Sequence, residues 1–244
     1  MLFKYFTLPN SEERNEIRNK YPILNKLQIL ISPKINPRNP FDVLITDIES
    51  KHWSSVLYFK LGEVRLTYMV LKYYYDKGIP DDNWFESPGK NGMSMGFFPD
   101  FNDEHYYIHY FFNFYTDVFY HKIFSAWNDI IYHLINVVFK LNIKPGGGFN
   151  KAIKKGIETK ELDLYNILNG TETDHIFEKA RDFRNNMTHN HPPYRIDSGV
   201  KRAGNTVSLG KGNYIPSKEI MDNIDKLLEL IVNALNEIKD YLEQ

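Results

Sequence analysis

Apolar residues recur three and four positions apart along most of the chain, a period that predicts helices rather than strands. The longest such run covers about 41–75. Ile45, Ile48, Trp53, Val56, Phe59, Val64 and Tyr68 form much of its apolar face, and Gly78-Ile79-Pro80 closes it. A second long helix is predicted over about 102–141. Its stripe includes Ile123, Phe124, Trp127, Ile131, Leu134, Ile135 and Val138, and KPGGGF stops it. Short helices follow at about 149–156 and 161–168. A helix over about 173–188 carries Ile176, Ala180, Phe183 and Met187 on one side. The last helix, 217 to about 242, opens on Ser217 as its expected cap. It aligns Ile220, Ile224, Leu227, Ile231, Leu235 and Ile238 in one stripe.

The intervening segments read differently. Ser11 is the expected cap of a short helix that Pro22 ends, and Pro33, Pro37 and Pro40 make 23–40 extended or irregular. Residues 80–99 form a loop containing Gly and Pro, whose Trp84, Phe85, Met93 and Met95 are expected to pack partly over the bundle or a partner. Residues 192–216 alternate turn residues with TVSL and NYI, which suggests a small hairpin. The expected architecture is all-α: an up-down bundle of long helices over 41–244, with residues 1–40 as an N-terminal extension packed on it.

Composition narrows the chemistry. The 244 residues suffice for a sizeable core, and 42% hydrophobic with 25% charged residues is ordinary for a globular protein. Formal net charge is −1, so no global positive field marks a nucleic-acid binder and any anion site must be local. The absence of cysteine excludes disulfides, thiolate metal ligands and a cysteine nucleophile. Without a signal-like N-terminus or a long uncharged apolar run, a cytoplasmic location away from membranes is expected.

Several patterns compete as sites. His105 and His109 have a spacing that can bring two imidazoles onto one metal, but HYYIH lacks the intervening glutamate and no third ligand follows by spacing. An aromatic-rich helix surface is the better reading, and no metal site or cofactor is assigned. Glu172 and His175 form one Glu-x-x-His pair, where a di-iron bundle needs two, and Glu172 is expected at a helix start. Lys122, Asp129, His133 and Asn136 share one arc of the second long helix, either solvated or lining a groove or dimer seam. Gly146–Gly148 follows a helix rather than a strand and reads as a turn.

The stretch RDFRNNMTHNHPP, residues 181–193, is the densest. Numbered from Ile176 at 100° per residue, Arg184 falls about 80° away, at the edge of the apolar stripe, where a guanidinium needs an anionic or carbonyl partner. Pro192 forces the backbone out of the helix between about Thr188 and His191, so His189 and His191 sit at a helix C-terminus. A salt-bridged arginine and two capping histidines would account for part of this. They would not account for Arg184, Asn185, His189, Asn190 and His191 crowding together.

Arg184-Asn185-x-x-x-His189 resembles the Arg-x(4–6)-His motif of the HEPN superfamily (higher eukaryotes and prokaryotes nucleotide-binding), and the spacing to His191 also fits. The aromatic helix ending in HLINVVFKL before a Gly-rich turn is similar to stand-alone bacterial members. The resemblance covers roughly 41–244. It implies a metal-independent endoribonuclease, often a toxin or defence protein with an antitoxin partner, acting on RNA as a homodimer with both motifs at one cleft. Arg184, Asn185, His189 and His191 are then the catalytic candidates. Arg181, Asn190, Tyr194, Arg195, Lys201 and Arg202 are substrate-binding candidates, and Lys179 and Lys211 extend the basic patch, which could equally be a solvated loop. The chemistry suits these groups: RNA brings its own 2′-OH nucleophile, imidazole moves protons near neutral pH, and arginine stabilises phosphorane charge. The alternatives are a non-catalytic HEPN protein that binds RNA or nucleotide, and a structural helical dimer.

Overall fold

Helices make up almost all the regular structure of the protein, seen in a computed structural model that describes residues 6–35, 40–204 and 206–244. Helices α1 (Ser11–Lys20), α2 (Ile23–Lys26) and α3 (Pro40–Tyr75) precede a two-stranded ribbon of β1 (Phe85–Glu86) and β2 (Gly96–Phe97). Next comes one continuous rod: α4 (Asp103–Ser125), a π-helical segment (Ala126–Ile131) and α5 (Tyr132–Val138). Helices α6 (Phe149–Ile157), α7 (Leu162–Thr173) and α8 (His175–His189) lead to the hairpin β3 (Val200–Ala203) and β4 (Thr206–Leu209), whose antiparallel register pairs Val200 with Leu209. Helix α9 (Ser217–Leu242) ends the bundle. The all-α fold expected from the periodicity is the one observed.

The rod runs antiparallel to α3. Tyr74 stacks on Phe111 at 5.3 Å, Lys122 meets Glu63 at 2.8 Å, and His133 lies flat on Trp53 at 4.2 Å. Lys122, His133 and Asn136 of its polar arc are therefore engaged by the fold, while Asp129 is exposed. Asn136 also exchanges hydrogen bonds with both backbone groups of Ile143. All six predicted α9 stripe residues are buried. Burying each contributes about 2 kcal/mol, which anchors a helix that has no side-chain cap of its own.

Helix α3 departs from expectation. Ile45, Ile48 and Phe59 point outward, with Phe59 71% exposed, while Leu57, Leu61, Val64, Tyr68 and Leu71 fill the core. The helix carries two apolar stripes, and the core takes the one beside buried Ser50 and Ser54. Ser54 is small enough to let the chain at Ile31 approach, and its hydroxyl bonds both the N–H and the carbonyl of Ile31.

The caps also differ. Asn10 caps α1 through a capping box with Glu13, so Ser11 is the first helical residue. Pro22 leads into one helical turn, α2, where irregular chain was expected. Ser217 lies inside α9, and Asp81, from the loop after α3, supplies the anion at the helix start. Glu172 sits at the end of α7, not at a helix start. There it accepts from Tyr132, Lys154 and Trp127, and His175 is exposed beyond it. This half-buried carboxylate ties together three helical segments.

Candidate nucleic-acid site at the end of helix α8

Asp174 accepts the Ile176 N–H at 2.7 Å and starts α8. The helix buries Phe177, Ala180 and Phe183, with the Phe177 ring against Phe124 at 5.1 Å. The buried stripe is thus centred on Phe177 rather than Ile176, and Ile176 and Met187 are only half-buried. That shift carries Arg184 further inward than expected: seven residues after Phe177, it lies about 20° short of two full turns. Its guanidinium carbon sits 5.4 Å from the Phe124 ring centroid, and its buried Nε has no hydrogen-bond partner. The anionic or carbonyl partner expected for Arg184 is not supplied to that nitrogen by the described residues.

The helix ends at His189, and Asn190 leaves it with φ −130° and ψ −138°. His189 is exposed and makes no hydrogen bond within the described residues. Thr188 donates to the Arg184 carbonyl at 2.8 Å and lies 3.4 Å from His121 Nε2 on α4. His191 is tied down: Nδ1 lies 3.0 Å from the Pro192 carbonyl and Nε2 3.2 Å from that of Ile196. Asn190 donates to Asn186, and Asn185 is half-buried. Arg181 turns away from this end: it donates to the Glu172 carbonyl at 2.8 Å and covers the Phe177 ring, satisfying the C-terminus of α7. Lys179 pairs with Glu219, and Lys211 lies over Trp84. Arg195 and Arg202 are exposed, the latter on β3, and the Lys201 side chain lies outside the described residues. Arg184, His189, His191, Tyr194 and Arg195 therefore share one end of the bundle, while Arg181 and Lys179 are engaged elsewhere.

Beside this end, α4 and the 194–196 segment enclose a cleft of about 410 Å³. Helix α4 lends it two rows at four-residue spacing: aromatic Tyr106, Tyr110 and Phe114, and polar His109, Asn113 and Asp117. Tyr194 is buried and donates to Asp117 Oδ2 at 2.7 Å. Burial pushes the Asp117 carboxyl above its ordinary value, opposed by the Tyr194 hydrogen bond and by the electrostatic influence of nearby His121 and Arg195. Deeper in, His109 Nε2 lies 2.9 Å from the Tyr214 hydroxyl and 3.0 Å from the Asn113 amide. Tyr214 donates in turn to Asp81 at 2.5 Å. Burial lowers the His109 pKa, and the charge of Asp81, 4.0 Å away, pushes it back up. The 80–99 loop covers this network, with Trp84 5.5 Å and Phe98 5.2 Å from the Tyr214 ring; Met93 and Met95 stay exposed. Phe98 holds φ 50°, a conformation costing about 1 kcal/mol that its packing on Phe101 and His109 offsets.

Sequence reading missed Asn113 and Asp117. Their signal was available: three polar residues at four-residue spacing inside HYFFNFYTD, where each apolar neighbour would bury them. His105 is used in capping α4 and His109 in the buried network, so the pair does not converge. No cluster of three metal-ligating side chains occurs among the described residues, and no helix of the described residues is long and apolar enough to cross a membrane.

The fold is a bundle of long helices, and Arg184-Asn185-x-x-x-His189 lies at the end of α8. The chain matches the model of the Cthe2314-like HEPN family over residues 53–244 and belongs to that family. HEPN domains have nucleotide- or RNA-related functions and are often ribonucleases. No curated protein and no solved structure matches the chain.

Proposed function

We propose that this protein is a metal-independent endoribonuclease whose active site forms where two copies bring their α8 ends together. The observation that carries the reading is Arg184: a guanidinium held against Phe124, its buried Nε unmatched among the described residues, five residues before the exposed imidazole of His189. Such a group is poised for an anion that the fold itself does not provide. Five helical residues put Arg184 and His189 about 140° apart, so one chain does not aim both at one phosphate. A two-fold pair of copies supplies the missing direction and two imidazoles.

In this reading one His189 takes the proton of the RNA 2′-OH as the new P–O2′ bond forms. The other donates a proton to the 5′-oxygen as the P–O5′ bond breaks. Arg184 stabilises the charge on the phosphorane, and Asn185 orients phosphate or imidazole. No metal enters the scheme. Labelled RNA incubated in EDTA should be cut to products ending in 2′,3′-cyclic phosphate, and its 2′-deoxy analogue should stay intact. Cleavage that needs Mg²⁺ or leaves 3′-hydroxyl ends would overturn the mechanism. Salt-sensitive RNA binding without cleavage would point to a binding protein instead.

Exposed apolar side chains support the assembly. Ile45, Ile48, Phe59 and Leu66 on α3 stand out from the bundle as exposed apolar side chains. A C2 dimer is the expected species. Light scattering should give the mass of two chains, and Phe59→Glu should shift it toward one. A 28.8 kDa species at micromolar concentration in the unmodified protein rules the dimer out.

A further inference from the structure

The cleft between α4 and the 194–196 segment contains unmatched polar atoms that the fold does not use. Asn113 is 8% exposed, and its Oδ1 has no hydrogen-bond partner among the described residues. Asp117 accepts from Tyr194 through Oδ2, and its buried Oδ1 has no partner among the described residues. The two residues are one helical turn apart on the same row of α4. Two buried acceptors without donors are a standing cost, and folded proteins normally satisfy such groups. Beside them the aromatic row offers flat apolar surface: Tyr110 and Phe114 are each about half exposed. Arg195 stands at the rim as a cation. The volume, about 410 Å³, lies at the lower end of the range for small-ligand sites.

We infer that this cleft binds the guanine base of an unpaired RNA strand, and so sets the sequence preference of the ribonuclease proposed above, on which the inference rests. An unstacked base can lie against the rings of Tyr110 and Phe114. Guanine carries N1–H and N2–H₂ side by side on its pairing edge. Those adjacent donors match Asp117 Oδ1 and Asn113 Oδ1. Uracil offers a single N–H between two carbonyls, and its second carbonyl would face a carboxylate. The adenine and cytosine amines supply one donor nitrogen where the cleft asks for two. Arg195 would meet the phosphate of the bound nucleotide.

The cleft also lies close to the motif. Asp117 is one turn, about 6 Å, from His121 along α4. His121 Nε2 is 3.4 Å from the hydroxyl of Thr188, which precedes His189. A strand seated with one base in the cleft can run on to the end of α8, so the base would determine which phosphate is presented there.

The test measures binding separately from cleavage. Arg184→Ala protein serves to avoid cutting, and short labelled oligoribonucleotides carrying one central guanine, inosine, adenine, cytosine or uracil in an otherwise uniform strand are titrated by fluorescence anisotropy. Guanine is expected to bind about tenfold or more tightly than uracil. Inosine, which lacks only the N2 amine, should fall between them. Asp117→Asn should reduce the guanine preference to threefold or less while leaving the uracil strand's affinity little changed. Because inosine alters the ligand and not the protein, that comparison stands even if Asp117→Asn proves unstable. Equal affinity for guanine, inosine and uracil overturns the inference, as does absence of binding to every strand. Cleavage by the unmodified protein without any base preference sinks the inference and leaves the ribonuclease reading standing. Guanine-selective binding without cleavage does the reverse.

Discussion

Arg184→Ala is expected to slow RNA cleavage about a hundredfold or more without lowering the melting temperature. The rate effect follows from the position of the charge: a donor aimed at charge that develops in the transition state is worth about 10²–10³ in rate. The stability effect follows from burial. Nε of Arg184 is a buried donor without a partner among the described residues, a state that costs about 1–3 kcal/mol, and truncation removes it. Loss of contact with Phe124 offsets part of that gain, so the melting temperature should stay level or rise. Arg184→Lys should recover only part of the rate, because an ammonium cannot make a bidentate contact with phosphate. His189→Ala should lose a factor comparable to that of Arg184→Ala. His191→Ala should lose less, since both of its ring nitrogens face backbone carbonyls. If Arg184→Ala melts well below the unmodified protein and its residual rate tracks the folded fraction, Arg184 is a structural residue and the site assignment fails.

The stripe of α9 could be read from the chain because its core-facing residues are apolar apart from Ser217 and Asn223 and the opposite face is charged, so the period leaves one solution. The stripe of α3 was misread for the opposite reason. Apolar residues occupy two sides of that helix, and the sequence period alone does not say which side the rod covers. On α8 a one-residue shift, from Ile176 to Phe177, separates an arginine at the edge of the core from one against it. That shift is set by the fit of Phe177 between Phe124 and Trp127, a contact with a distant helix. The Arg184-to-His189 spacing was visible in the sequence, and both residues lie in the second half of α8. The neighbouring cleft was not visible there, because it needs Asn113 and Asp117 of α4 beside Tyr194, residues about eighty positions apart that no local pattern connects. Helix caps failed similarly: Ser217 is the natural local candidate, yet the group that satisfies the start of α9 is Asp81, 136 residues earlier.

That long-range cap makes Asp81 the second strong prediction. Asp81 is 1% exposed, and one of its oxygens accepts from the Tyr214 hydroxyl, the Ser217 N–H and the Ser217 hydroxyl. Asp81→Ala leaves three buried donors to compete for whatever water enters, at a cost of about 3 kcal/mol. For a chain of this size that lowers the melting temperature by roughly 6–12 °C. Asp81→Asn keeps the shape and one acceptor and should cost about half as much. The deficit should also depend on pH through His109. Burial holds the folded His109 pKa below its ordinary value, so on acidification the unfolded chain takes up a proton first. Stability associated with neutral His109 is complete above about pH 6.5 and is lost as pH falls from there to the folded value. The charge of Asp81 pushes that folded value upward and so ends the loss sooner. Without Asp81 the folded value drops further, and the loss continues to lower pH. Urea midpoints for the two proteins should therefore differ more at about pH 5 than at about pH 7.5. Faster amide exchange should appear first in the opening turn of α9, where Ser217 loses its acceptor. A midpoint equal to that of the unmodified protein at both pH values would mean that water replaces the carboxylate at no cost, and that the start of α9 is held by packing alone.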